Sequence, residues 1–561
     1  MMGRPGEPAT SPGQRLAARP LEETRLTHPN SGGPPRIAGG QTLPHSAAGA
    51  LAAGALCTAI AVSTSSWPIL LVGLFGVAGA AALAWRHASQ LSERGAWLED
   101  ALERTTLDAD TARADAQAAR AEAQAAFLEP DSADVDRLGA SLARLNAGVV
   151  AHYYMDPELQ GVLTSCDWPH IAISDSLKMA DAAVSMAEAG VGTIYVLGVD
   201  FMSENVRAML DASGHEDVVV YRVDEREIGC SLAESAEAPA YAAYLRKASE
   251  QPRSLHVVYV NTSLRTKAHA HHLVPTITCT SSNVVSTVLA AAAQIPDVHV
   301  WFGPDTYMGR NLQALFAQLA TMDDAAVQAI HPDHDAASVG ELLDRFHVFR
   351  QGMCVVHHMF GADVAAQVRA DYDDAYVSAH LEVPGEMFAL ALERQKEGRG
   401  VVGSTANILG FIKDKLDAAV ASGDKARLRF VLGTEAGMIT SIVRAVQERI
   451  AGEDGYEVEI IFPVASEAVT QVDDPELALV PGVAGGEGCS VEGGCATCPY
   501  MKMNSLDALL DLMDRPQERS ALAVFEPEKY SETLDGQTLA EVGTVSILHM
   551  RHFQQEEALS N

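Results

Sequence analysis

Positive charge is scarce in this chain. Its 561 residues hold 40 Lys and Arg against 74 Asp and Glu, a formal net charge of −34 at pH 7. That balance argues against nucleic-acid binding, which needs a basic face, and against general attraction to anionic membranes. Cysteine is sparse as well, with eight in the whole chain. So few thiols exclude a disulfide scaffold and point to a reducing compartment. No GxxxxGK[ST] occurs, so nothing supports a P-loop NTPase. The compact Cys-x3-Cys-x2-Cys run of radical S-adenosylmethionine chemistry is also missing. Between Arg36 and Arg86 there is no charged residue at all.

That uncharged stretch divides the N-terminal region. Residues 1–45 are rich in Pro, Gly and Arg without periodicity and read as a disordered or targeting segment. Residues 46–86 carry two apolar runs, Ser46–Ser63 and Trp67–Trp85, split by polar Ser and Thr. Each run approaches the roughly 20 residues that cross a hydrocarbon core. The expectation is an apolar helical hairpin attached to a membrane, with a cleaved targeting sequence or a buried helical pair as alternatives. Residues 87–129 are Ala-rich with both charge signs, which predicts a helical linker or a looser spacer.

From residue 130 the pattern turns regular. Short β-branched runs pass at once into polar residues and then into helical stretches. Gly148–Ala151 leads into His152 and Tyr154, Thr193–Leu197 into Gly198, and His256–Val260 into Asn261. Val298–Phe302 leads into Asp305, Ala375–Ser378 into His380 and Glu382, and Leu428–Leu432 into Thr434 and Glu435. Apolar strands alternating with helices predict an α/β fold of parallel sheets covered on both faces. Ligands of such sheets bind beyond the carboxyl ends of the strands. A core needs no His, Tyr, Asn or Glu at those ends, so they mark a functional cleft. Three helix starts, at Ser174-Asp-Ser176, Thr280-Ser-Ser-Asn283 and Gly403-Ser-Thr405, offer hydroxyls and free N–H groups suited to a phosphorylated substrate.

Three cysteines, Cys230, Cys354 and Cys498, stand about one small domain apart, each in a polar loop. By spacing alone they read either as buried, idle thiols or as three ligands of a cubic iron–sulfur cluster whose fourth iron stays open as a Lewis acid.

The motifs decide which family the chain resembles. They are Ala151-His-Tyr-Tyr154, Ser174-Asp-Ser-Leu-Lys178, Gly198-Val-Asp-Phe-Met-Ser-Glu204, Cys230-Ser-Leu232 and Tyr259-Val-Asn-Thr-Ser263 with Lys267. Then come Thr280-Ser-Ser-Asn283, Gly303-Pro-Asp305, Gly352-x-Cys354-x-x-His357, Gly403-Ser-Thr405, Thr434-Glu435 and Cys495-x-x-Cys498-Pro-Tyr-Met-Lys-Met-Asn504. In this order, over residues 145–515, the chain resembles the quinolinate synthases. The insertion Ala268–Pro275 marks similarity to their long, plastid-type and bacterial subtype.

The resemblance implies three similar αβα units in pseudo-threefold arrangement around a central active site, here 130–225, 226–350 and 351–515, followed by a C-terminal extension at 516–561. It implies condensation of iminosuccinate with dihydroxyacetone phosphate to quinolinate, phosphate and water, in de novo NAD biosynthesis. It implies a [4Fe-4S] cluster on Cys230, Cys354 and Cys498 with one open iron. Tyr154, Glu382, His380 and His357 correspond to catalytic positions. His152, Ser176, Tyr259, Val260, Asn261, Ser281, His380, Leu381, Glu382 and Thr405 correspond to substrate-binding positions. An L-aspartate oxidase or aspartate dehydrogenase would supply iminosuccinate, iron–sulfur assembly machinery the cluster, and cytoplasm or plastid the setting. Leu381 stands where the family often has Pro. Glu492 replaces the first of three clustered C-terminal cysteines, and Cys489 lies three residues upstream. Cys495 therefore remains an alternative to Cys498 as ligand, or a redox partner of Cys489. A zinc-binding scaffold built on Cys489, Cys495 and Cys498 is the competing reading, although tetrahedral zinc wants four ligands and only one Cys-x-x-Cys pair is present.

Overall fold

Twelve strands in three parallel sheets organise the chain, seen in a computed structural model that describes residues 127–423, 427–435, 437–451, 455–463 and 498–560. The chain divides into two compact units, Met1–Arg104 and Thr105–Asn561. The first unit lies outside the described residues, and with it the expected targeting segment, the hairpin at 46–86 and most of the linker at 87–129. Among the described residues no helix is long and apolar enough to cross a membrane.

In the second unit the strands are β1 Ala147–His152, β2 Ile171–Ser174, β3 Thr193–Leu197 and β4 Val219–Arg222. They are followed by β5 Ser254–Tyr259, β6 Thr276–Cys279, β7 His299–Gly303 and β8 Phe346–Val348. Next come β9 Tyr376–His380, β10 Gly400–Gly403, β11 Arg427–Gly433 and β12 Glu457–Ile461, and a short antiparallel pair, Thr533–Leu534 with Gln537–Thr538, stands apart from the three sheets. The orders are β2-β1-β3-β4, β6-β5-β7-β8 and β10-β9-β11-β12, with every pairing parallel. The same topology is thus used three times.

The packing follows from composition. All six residues of β1 are buried, and so are four each in β3, β5 and β7. Helices on both faces supply the apolar partners: Ser176–Glu188 packs on β1 and Gly385–Lys396 on β9 and β10. Each fully buried aliphatic or aromatic side chain contributes about 1.5–3 kcal/mol.

Close backbone approach is allowed at two glycines, the first within the second repeat and the second between the first and third. A Cβ on Gly352 would lie 2.2 Å from the Pro304 carbonyl oxygen, and one on Gly437 2.6 Å from the Tyr154 Cα. The second contact draws the loop after β11 onto the loop after β1, where Gln160 Nε2 also donates to the Tyr153 and Met155 carbonyls. The inserted segment Ala268–Pro275 forms the end of helix Leu264–Leu273 and the turn into β6. The C-terminal extension wraps back: helix Leu539–Ser560 packs on helix Leu264–Leu273 and on β6, with Thr278 Oγ1 2.9 Å from Ser546 Oγ.

Candidate active site and metal centre

The threefold topology places chemistry-bearing residues at matching positions. The first strand of each repeat ends at His152, at Tyr259 and at His380, with Tyr154, Asn261 and Glu382 two residues on. The second strand leads to Ser176, Ser281 and Thr405. Cys230, Cys354 and Cys498 each follow the fourth strand, the last after a longer connection. All these residues line one cavity, together with Leu232, Val260, His357, Glu435 and Met501. His152 and His380 are the last strand residues rather than loop residues, because the ladders continue through His152–Ser174 and Gly403–His380.

Local capping presents the hydroxyls. Asp175 caps the helix that starts at Ser176, accepting from the Leu177 and Lys178 N–H groups. Ser404 caps the helix that starts at Thr405 and forms a capping box with Asn407. Ser281 differs, since it lies in a turn before helix Val284–Gln294, where the Asn283 side chain accepts from the Thr280 N–H.

The three thiols are partly open to the cavity. Burial pushes Cys230 up to about 11, against donation from the Leu232 and Ala233 N–H groups. It pushes Cys354 and Cys498 well above the ordinary thiol value. Cys498 acts electrostatically on Cys354, and Cys230 on Cys498, so the thiols share one field. Such a set gives up its protons to a cationic metal centre and stays neutral without one.

Side-chain bonds brace the three cysteine loops. Ser231 Oγ donates to the Met353 carbonyl at 3.1 Å and accepts from the Val355 N–H at 3.3 Å. Tyr500 donates to Glu234 Oε1 at 2.9 Å. The Cys498 N–H donates to Glu435 Oε1 at 2.8 Å. Asn504, fully buried, exchanges two bonds with the backbone of Gly198.

A polar knot adjoins the Cys354 thiol. Tyr259 donates to Glu382 Oε1 at 2.5 Å, while His357 Nδ1 lies 3.2 Å from Glu382 Oε2 and 3.3 Å from Cys354 Sγ. The rings of His357 and His380 stack with centroids 4.9 Å apart. Burial would raise Glu382, but the imidazoles of His357 and His380 and the Tyr259 hydroxyl outweigh it and hold the carboxyl down at about 2. Burial lowers His152 and His380 to about 4, with Glu382 pulling both upward. The cavity thus sets the Glu382 carboxylate beside His152 and His380, whose burial favours the neutral ring. Tyr154 hydrogen-bonds Thr405 across 3.3 Å, and burial, then Glu435 and Glu382, keep its phenol protonated.

Of the rival positions, His357 and Tyr154 line the cavity, whereas His358 and Tyr153 do not. Leu381 also stays out: its side chain is buried in the core and its carbonyl accepts from Asn311 Nδ2. Cys489 and Cys495 lie outside the described residues. Glu435 and Asp175 also line the cavity, and Lys267 lies behind it, although sequence reasoning did not assign them roles. Glu435 had a signal, a carboxyl just past a strand end. Lys267 is fully buried and donates to the Val260 carbonyl at 3.1 Å and to that of Thr262, which shapes the loop carrying Asn261. A larger cavity of about 680 Å³ shares Cys230 and Phe201 with this one, but it is lined by Glu204, Arg222, Glu526 and Lys529 and contains neither Glu382 nor the other two cluster-type thiols.

Residues 136–533 match the family model described as "NadA: Quinolinate synthetase A protein". The chain is 54% identical over 428 residues to "Quinolinate synthase, chloroplastic" of Nicotiana tabacum, covering 73% of this chain and 59% of that protein. It is 55% identical over 428 residues to the protein of the same name from Arabidopsis thaliana, covering 73% and 60%. "Quinolinate synthase" of Prochlorococcus marinus (strain MIT 9303) is 28% identical over 365 residues, covering 65% of this chain and 78% of that protein. The chain thus spans about three-fifths of the length of the plant relatives it matches.

Proposed function

We propose, because the chain belongs to the quinolinate synthase family, that it condenses iminosuccinate with dihydroxyacetone phosphate to give quinolinate, phosphate and water in de novo NAD biosynthesis. One observation carries this reading: Cys230, Cys354 and Cys498 follow the fourth strands of three like sheets and face the same cavity as Glu382, His357, His380 and Tyr259. The donor set suits a [4Fe-4S] cluster, since three thiols in one electrostatic field are brought together and no fourth cysteine lines the cavity among the described residues. When bound, such a cluster supplies a Lewis-acidic iron for a substrate oxygen or nitrogen.

The chain's own residues do the rest. The hydroxyls of Ser176 and Thr405, each at a helix start, and of Ser281, in the turn before a helix, hold the phosphate and carboxylates. His152, neutral, and Asn261 orient the substrates by hydrogen bonds, and Val260 packs beside them. Glu382 accepts protons during tautomerisation and dehydration, Tyr259 and His357 fix its two oxygens, and His380 shuttles protons beside it. Tyr154, its phenol kept protonated, offers a hydrogen-bond donor to the substrates. Reaction chemistry requires an enzyme that oxidises aspartate to iminosuccinate, an L-aspartate oxidase or aspartate dehydrogenase, and machinery that assembles the cluster. A reducing compartment, plastid or cytoplasm, fits the thiol chemistry.

The test is anaerobic. Full-length protein stripped with chelator and reconstituted with iron and sulfide should be brown, with about four irons and four sulfides per chain, and form quinolinate from the two substrates. Cys354→Ala should lose cluster and activity together. Glu382→Gln should keep the cluster and lose roughly 100-fold or more in kcat. A colourless, inactive protein after stripping and reconstitution, or full activity in Cys354→Ala, would sink the reading.

A further inference from the structure

His357 Nδ1 faces two partners that one proton cannot serve. It lies 3.3 Å from Cys354 Sγ and 3.2 Å from Glu382 Oε2. If Nδ1 carries hydrogen it satisfies one of them, and if it accepts from the thiol it meets the carboxylate with a bare lone pair. A cation between the three would satisfy all of them. Cys354, His357 and Glu382 do offer one donor atom each, all within 4.8 Å of one another, and they are the one such trio found among the described residues.

The spacing fits a particular class of ion. Zinc binds sulfur at about 2.3 Å and nitrogen or oxygen at about 2.0–2.1 Å, tetrahedrally. Those bonds separate S from N by about 3.5 Å and N from O by about 3.3 Å, close to the two contacts seen here. The supports are in place as well. The Tyr259 hydroxyl holds Glu382 Oε1 and leaves Oε2 turned to His357. The His357 ring is almost fully buried, and its Nε2 finds no hydrogen-bond partner among the described residues. Cys354 is partly open to the cavity, which provides an entry path and room for a fourth ligand.

We propose that the cluster-free protein holds one divalent ion of the zinc class on Cys354, His357 and Glu382, with water or a substrate oxygen as fourth ligand. Cys354 loses its proton to solvent as the ion binds. Cys230 and Cys498 take no part. The ion and the cluster then compete for Cys354, so zinc arrests the protein in a metallated form unable to accept a cluster. This last step alone rests on the function proposed above; the ion site does not.

X-ray absorption at the zinc edge on unmodified full-length protein, stripped and loaded with one equivalent, tests the site without any substitution. One sulfur among nitrogen and oxygen scatterers is expected, and two or three sulfurs would overturn the proposal. Cobalt titration adds an optical reading. One equivalent should give tetrahedral cobalt bands with a thiolate charge-transfer band. Cys354→Ser should abolish the latter, His357→Gln should weaken binding at least tenfold, and Cys230→Ser should bind as the unmodified protein does. Octahedral cobalt without charge transfer, or equal loss in Cys230→Ser, would also overturn it. If zinc binds as stated yet cluster assembly on the loaded protein is undiminished, the cluster assignment of Cys354 fails and the zinc site stands.

Discussion

His256 takes no part in the cavity, yet it governs how the protein meets acid. It is fully buried in β5, with Nε2 2.8 Å from the Tyr241 hydroxyl and Nδ1 3.2 Å from Thr276 Oγ1. Burial holds its pKa down at about 3. The unfolded chain protonates this ring below about 6.5, while the folded protein refuses the proton until about 3. The unfolded state therefore binds more protons throughout that window, and stability is lost as pH falls through it. Between pH 7 and pH 5 this one group should cost roughly 2 kcal/mol. His152 and His380 act in the same direction, from 6.5 down to about 4. Urea unfolding of metal-free protein at pH 7 and pH 5 checks this: His256→Gln should reduce the difference by about that amount, and an unchanged difference would clear His256. Residues of this kind were illegible in the sequence, since a histidine inside a strand looks like any other core position. His380, Glu382 and Tyr154 were legible for the opposite reason. They are polar just where a strand ends, and no core requires them there.

At the scale of elements, the cysteine loops are what the fold must hold still. They are tied to one another by side chains rather than by a common sheet. Tyr500 joins the Cys498 loop to Glu234 in the helix after Cys230, and a Cβ on Gly229 would meet both partners at under 3 Å. Removing this bond in Tyr500→Phe should cost about 1 kcal/mol of loop order. The expected result is a several-fold faster release of iron to a chelator, with all thiols still titratable and kcat per cluster nearly kept. An unchanged release rate would show that the brace does not steady the loop. The strand–helix alternation and two of the three hydroxyl-bearing helix starts followed from sequence pattern. The braces did not, because Ser231, Glu234 and Tyr500 are ordinary polar residues until folding brings distant loops into register. The turn at Ser281 was hidden for a similar reason: Asn283 spends its side chain on the Thr280 N–H instead of capping its own helix.

For the whole molecule, the contact between repeats is the vulnerable dimension. Gly437 lets the loop after β11 reach the backbone of Tyr154, and a side chain there would have to displace one of the two loops. Gly437→Val should lower stability by about 1–3 kcal/mol or more, seen as a lower Tm. It should also raise the KM for substrate more than it reduces the cluster content. An unaltered Tm would mean that the interface gives way without cost. The long connection before Cys498 and the N-terminal unit fall outside the described residues, so the order of the repeats, not their linkers, is what sequence and structure share.

The threefold reuse of one topology has a consequence for the proposed cluster that is purely geometric. A cube is symmetric about its body diagonal, by three successive turns. Thiols that follow the fourth strand in each of three like units would suit three corners related by those turns, Cys498 reaching its place over a longer connection. The fourth corner falls on the diagonal itself, where no unit can reach it unless all three do. On the proposed cluster a vacant iron would then need no lost cysteine to explain it: it would be the corner that triplication leaves over.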